Sequence, residues 1–295
     1  MDVSVIVRVK DEVDSIAATL RALRGQTRPA ELVVVDSGSR DGTLDVARAS
    51  ADVVVDLAPE DFAYGRALNL GAAAASGRTH FALSAHCRPD SPTWIEDSLA
   101  LYTDERVAGT CGALWTPDGR PMTGTYLPTL EEALRHPAWG FSNHASSWRA
   151  DVWHSVPFRE DLPACEDKEW FWRVLGHGHA VAFSPRVFVP AGHRREQGLG
   201  RLHRRVAREA EAMVTLGVAR PLTAPDALRA WWGSFSSESR RSHLLRRLSP
   251  HRVAELTGAW AGGRAAATAA ASSSAGEPVP AGSTAPPYLP WVPAQ

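Results

Sequence analysis

With 295 residues, 44% of them apolar, the chain is long enough to bury one large core or two modest ones. Its 32 basic and 33 acidic residues leave a formal charge of −1, so no overall positive field marks nucleic acid as a partner. The cysteines Cys87, Cys111 and Cys165 are odd in number and lack C-x-x-C spacing, which argues against a disulfide framework or a zinc knuckle and for a reducing cytoplasm.

The chain opens Met-Asp-Val-Ser-Val-Ile-Val-Arg, with neither a basic n-region nor a long apolar h-region, so no signal peptide is expected. Residues 3–9 form a β-branched run suited to a buried parallel strand. Asp14 and Ser15 are candidate caps for a helix whose Ile16, Leu20 and Leu23 share one face, and Gly25 can end it. Residues 32–35 read as a second strand, 43–49 as helix and 52–55 as a third strand. An Ala-rich helix over 66–76 closes at Gly77, and residues 80–84 make a fourth strand. This alternation predicts an α/β fold with a doubly wound, mostly parallel sheet flanked by helices.

Further on, residues 94–102 look helical and 107–111 strand-like, whereas 115–139 has little periodicity. Its Pro, Gly and Thr content predicts a mobile loop able to close over a ligand. Residues 167–175 read as helix, 180–183 and 187–189 as short strands, and 199–216 as a charged helix. Arginine-rich helical patterns occupy 226–260, and after Gly262 the Ala, Ser, Gly and Pro content predicts a disordered tail. The expected organisation is a catalytic domain over 1–217 (nucleotide-binding half about 1–90, acceptor half about 91–217), a helical segment over 218–262, and a tail over 263–295. No apolar run approaches the roughly 20 residues that span a bilayer, so no integral membrane segment is expected and the protein reads as soluble.

The chemistry concentrates first in Glu31-Leu-Val-Val-Val-Asp36-Ser-Gly-Ser-Arg-Asp41-Gly-Thr43, a buried strand ending in a carboxylate, then a small-residue turn and a helix start. Such strand ends beside helix N-termini are where α/β sheets bind nucleotides. A second acidic signature, Glu166-Asp167-Lys-Glu-Trp170, lies far downstream.

Five segments in this order carry a family resemblance: Ser4-Val-Ile-Val-Arg-Val-Lys-Asp11-Glu12; Val35 through Thr43; Phe62-Ala-Tyr-Gly-Arg66-Ala-Leu-Asn69-Leu-Gly71; Leu83-Ser84-Ala-His86; and Glu166 through Trp170. Together they resemble the inverting family 2 glycosyltransferases of the GT-A fold over roughly residues 3–195, in the flavour of the bacterial rhamnosyltransferase-like subgroup. The resemblance implies that Asp36 holds the nucleotide base while Asp11 and Glu12 line the same pocket. It places Arg8, Arg66, Asn69 and Ser84 with them around a UDP-, dTDP- or GDP-sugar donor, Arg66 pairing the diphosphate. It implies a divalent metal, Mn²⁺ or Mg²⁺, with His86 and His193 as ligands. Ser84-Ala-His86 replaces the usual Asp-x-Asp, and Ala191 stands where relatives carry another histidine, which leaves few protein ligands. Asp167 is the implied general base toward a hydroxyl acceptor in a glycan or a small natural product, and Glu166 and Trp170 are candidate acceptor contacts.

Each residue also has a plainer reading. Asp36 can cap its turn and Asp41 the second helix, Arg66 can be solvated, and His86 can be a turn histidine. The Glu166–Asp167 pair can merely offset a helix dipole, and Trp170 can be core. The arginine-rich stretch over 239–252 could touch an anionic membrane, but a solvated helix face is the expected role. Two other functions fit less of the pattern. A non-catalytic nucleotide-sugar or carbohydrate binder would explain the missing Asp-x-Asp. A nucleotidyltransferase would need a glycine-rich loop where Arg8-Val-Lys-Asp-Glu12 stands.

Overall fold

The computed structural model describes residues 2–190, 198–232, 250–272 and 285–289. They fall into two compact units, one of residues 2–162 and 166–190, the other of 163–165, 198–232, 250–272 and 285–289. His193, Ala191 and all but the last residues of the 239–252 stretch lie outside the described residues.

In the first unit, the near-continuous valine runs form buried strands β1 (Val3–Val9) and β2 (Glu31–Asp36), which pair in parallel with Val9 opposite Asp36. β3 (Val53–Asp56) extends the sheet beyond β2, and β4 (Thr79–Ser84) pairs on the other side of β1 with Ser84 opposite Arg8. Helices α1 (Val13–Arg24), α2 (Thr43–Ser50) and α3 (Tyr64–Ala74) make the crossovers. The cap of α1 differs from expectation: Glu12 is the N-cap, and Ser15 donates its hydroxyl to the Glu12 carboxylate at 2.8 Å. Ile16, Leu20 and Leu23 of α1 bury with Val5, Val7, Leu32, Val34 and Phe81 in the core on one sheet face. On the other face α3 lies so close that a Cβ on Gly71 would stand 2.4 Å from Ile6 Cγ2 and 3.0 Å from Val35 Cγ2.

The sheet continues with β5 (Val107–Gly112), β6 (Ala145–Arg149) and β7 (Ala180–Ser184) in the order β3-β2-β1-β4-β6-β5-β7. β6 is antiparallel to both neighbours, and the other pairings are parallel. Helices α4 (Trp94–Leu99), α5 (Leu130–Arg135), α6 (Ala150–Ser155) and α7 (Glu166–Gly176) belong to this half. Residues 187–189 do not form a strand; Pro185–Val187 make a 3₁₀ turn capped by the Ser184 hydroxyl. The mobile loop expected over 115–139 is tied down instead. Trp139 is buried, donates to Trp115 O at 2.9 Å and packs on Phe183, while Tyr126 bridges Phe183 and Thr129 starts α5 with a capping box.

The second unit contains α8 (Leu199–Thr215), α9 (Ala224–Trp232) and α10 (Pro250–Ser272). Two expectations are corrected here. α8, expected within the first domain up to 217, groups instead with α10, where Gly258 and Gly262 bring that helix against the His203 and Ala207 carbonyls. The tail expected from 263 is helical to Ser272, as its alanines favour, and Tyr288 is buried with its hydroxyl on Glu209 at 2.8 Å. Among the described residues, no helix is long and apolar enough to cross a membrane.

Candidate active site

The parallel strands β1, β2 and β4 deliver their carboxyl ends side by side, and the polar residues after them interlock. Asp36, at the end of β2, accepts from Gly38 N at 2.9 Å and Ser39 N at 2.8 Å through Oδ1. Gly38 takes φ +84°, the left-handed region that glycine enters freely, and a Cβ there would strike Pro59. Asp36 Oδ2 is buried without a hydrogen-bond partner. A buried carboxylate oxygen left unpaired is costly, so this atom is suited to receive an N–H or O–H from a ligand.

Beside it, Asp11 turns the chain with φ +51°, its N–H on Ser39 Oγ at 2.9 Å and its Oδ1 accepting from Arg40 N at 2.8 Å. Asp41 ties two helix starts, accepting from Val13 N at 3.1 Å and Thr43 N at 3.0 Å, and the Thr43 hydroxyl holds its carboxyl below the usual range. Glu12 Oε1 lies 3.2 Å from His86 Nδ1, both half-buried. Arg66 is half-buried and makes no hydrogen bond or ion pair with any described residue. Ser84 shares its register position with Arg8, and its N–H donates to His144 O at 2.9 Å.

From the other side comes the start of α7. Asp167 accepts from Lys168 N at 2.8 Å and Asn143 N at 3.3 Å, with the Lys168 ammonium 3.8 Å away and 17% of its side chain exposed. Asn143 joins this helix to the strand ends, because its carbonyl also accepts from Arg8 Nη2 at 3.0 Å. Its side chain donates to Glu166 Oε1 at 3.4 Å and accepts from Ser146 Oγ at 3.2 Å. Asp11, Glu12, Asp36, Ser84 and His86 therefore gather at the strand ends, and Asp167 is linked to them through Asn143 and Arg8.

Four expected contacts are redirected. Asn69 is saturated by the protein: its amide donates to Phe158 O and Glu160 Oε1, both at 2.8 Å, and accepts from Trp153 Nε1 and Phe158 N. Trp170 is fully buried between Phe141 and Phe158, its indole N–H on Val156 O at 2.8 Å, and so offers no face to an acceptor. Arg8 is engaged within the protein, its guanidinium carbon 5.7 Å from the Tyr64 ring centroid and its Nη1 3.6 Å from Glu166 Oε1. Glu166 is turned inward and only 5% exposed. Burial and the neighbouring Asp167 charge push its carboxyl up to about 7, against the pull of Arg8. Sequence reasoning missed Asn143 and Tyr64 as neighbours of these groups. Tyr64 lay inside a quoted motif, but Asn143 stands in Phe141-Ser-Asn-His144, where nothing marks a special asparagine.

Residues 4–144 match the family described as glycosyl transferase family 2. The chain is 37% identical over 199 residues to glycosyltransferase AglE of Haloferax volcanii, covering 63% of this chain and 65% of that protein. It is 24% identical over 188 residues to the O-antigen chain rhamnosyltransferase WbaN of Salmonella anatum, covering 58% and 60%. The matched stretch thus spans less than two thirds of either curated relative. Among solved structures, the fold resembles a mannosyltransferase from Pyrobaculum calidifontis in complex with GDP-Man and Mn²⁺, at TM-score 0.57 and 19% identity over 93% of this chain and 76% of that one. The fold is the GT-A fold.

Proposed function

We propose that the chain is an inverting family 2 glycosyltransferase moving a sugar from a nucleotide diphosphate to a hydroxyl acceptor, a reading supported by the match of residues 4–144 to that family and by the two curated relatives. The supporting observation is the junction of the strand ends with α7, where Arg8 and Asn143 bind the carboxyl-end cluster to Asp167. In this reading Asp36 Oδ2 receives the nucleotide base, and Asp11, Glu12 and Ser84 line the donor site. Arg66, free of protein partners among the described residues, takes charge developing on the diphosphate.

Glu12 Oε1 and His86 Nδ1, 3.2 Å apart, fit a divalent ion as one hard oxygen and one borderline nitrogen donor, a pair better suited to Mn²⁺ than to Mg²⁺. Among the described residues no cluster of three or more His, Cys, Asp or Glu is present, so diphosphate oxygens would complete the shell. Charge neutralisation at the leaving diphosphate is what such an ion supplies when bound. In the step itself, the acceptor hydroxyl attacks the anomeric carbon as the bond to the diphosphate oxygen breaks on the opposite face. Its proton passes to the Asp167 carboxylate. Two backbone N–H groups and the Lys168 ammonium orient that carboxylate.

The test is turnover with UDP-glucose, GDP-mannose and dTDP-rhamnose in the presence of Mn²⁺ over a panel of hydroxyl acceptors. Asp167→Asn should lower kcat by about 10²- to 10⁴-fold with donor binding retained. Undiminished turnover in that variant removes Asp167 from the mechanism. Donor binding by calorimetry with no turnover of any pair would instead favour the non-catalytic binder.

A further inference from the structure

Arg8, Asn143 and Glu166 form a buried polar node that no donor or acceptor contact explains. The Arg8 side chain is 15% exposed, its guanidinium lies against the Tyr64 ring, and its buried Nε and Nη1 have no hydrogen-bond partner. A buried guanidinium without full hydrogen bonding persists where another group needs its charge. The group 3.6 Å from it is Glu166, whose carboxyl is fixed by Asn143 and stands beside Asp167 in the chain.

We propose that Glu166 is a positioning residue: its buried carboxyl, balanced by Arg8 and held by Asn143, sets the proton affinity of Asp167. The inference rests on Asp167 being the base. Charged and titratable groups around Glu166 are Arg8 from β1, with Tyr64 from α3 above it, and Asp167 with Lys168 from α7; Asn143 is its neutral partner. Asp167 itself faces the Lys168 ammonium, the buried Cys111 thiol of β5 and the backbone N–H groups of Asn143 and Lys168. When Glu166 ionises, the adjacent negative charge strengthens Asp167 as a proton acceptor, and Arg8 keeps that ionisation within reach of neutral pH.

The experiment is a pH titration of the full chain labelled with ¹³C at aspartate side-chain carboxyls, the Asp167 signal being assigned by its loss in Asp167→Asn. In the wild type, that signal should show a second inflection near pH 7, where Glu166 ionises. Glu166→Gln should abolish the inflection. Arg8→Met should move it upward by about one pH unit or more, and Arg8→Lys should return it toward the wild-type position. An Asp167 titration unchanged in Glu166→Gln overturns the proposal; that near-isosteric change decides the matter alone if Arg8→Met does not fold. If Asp167→Asn retains full turnover, the base assignment fails, and the spectrum still reports whether the two carboxyls are coupled.

Discussion

The two halves of the first unit solve the same problem over different distances. Around β1 to β4, polar groups find partners within a few residues or on the adjacent strand end: Asp36 accepts from Gly38 and Ser39, and Asp41 from Thr43 and Val13. Around β5 to α7, partners come from far along the chain: Asn143 accepts from Arg8, and Phe158 and Glu160 accept from Asn69. Local closure leaves a pattern in the sequence, and distant closure does not. The difference also separates ligand-facing groups from internal ones, since Asp36 keeps one oxygen unpaired while Asn69 keeps nothing in reserve.

Asp36→Asn tests the first half most severely. The amide can keep its oxygen on Gly38 and Ser39 while replacing the unpaired oxygen with a donor. A lost hydrogen bond to a charged group corresponds to about 1.5–3 kcal/mol, so nucleotide-sugar affinity should fall roughly 10- to 150-fold in calorimetry with the melting temperature little changed. Unchanged affinity would mean that the carboxylate serves only its turn. Asn69→Ala probes the second half in the opposite way. It strands the Trp153 indole N–H and the Phe158 N–H and carbonyl, at about 1–3 kcal/mol of stability, and should leave donor affinity intact. Weakened donor binding at full stability would restore Asn69 to the donor site.

This contrast explains what was legible. The parallel sheet could be read because valine runs and helix-spaced leucines recur through residues 3–84, and Asp36, Glu12 and His86 could be placed because strand ends are fixed by those runs. β6 escaped notice because Ala145-Ser-Ser-Trp-Arg149 has little strand propensity; its Ser147 is instead stabilised by the hydroxyls of Tyr102 and Thr110. Trp170 and Glu166 read as candidate acceptor contacts because helix spacing does not say which face meets a core built from Phe141, Phe158 and Arg8. Gly71 lies between the two cases. It was quoted within a motif without a role, and the role is contact. Gly71→Ala should cost about 1–3 kcal/mol by pressing a methyl onto Ile6 and Val35, seen as a lower midpoint in denaturant at unchanged slope. No loss of stability would show that α3 can move off the sheet.

The smallest expected effect sharpens the comparison, because it concerns a local signature inside the half that was otherwise closed by distant contacts. Thr129-Leu-Glu-Glu132 has the Ser/Thr-x-x-Glu spacing of a capping box, and both reciprocal bonds are present: Glu132 N on Thr129 Oγ1 at 3.2 Å and Thr129 N on Glu132 Oε2 at 2.8 Å. The signature escaped reading because α5 is only six residues long and carries no repeating apolar face. Thr129→Ala removes one of the two bonds and should cost about 1 kcal/mol, a shift of roughly 2–4 °C in thermal unfolding. Glu132→Ala should cost more, since Tyr126 also donates to that carboxylate at 3.0 Å. Equal melting temperatures for Thr129→Ala and the wild type would mean that the Tyr126–Phe183 bridge and buried Trp139 hold this segment unaided, and that even here distant contacts outweigh local ones.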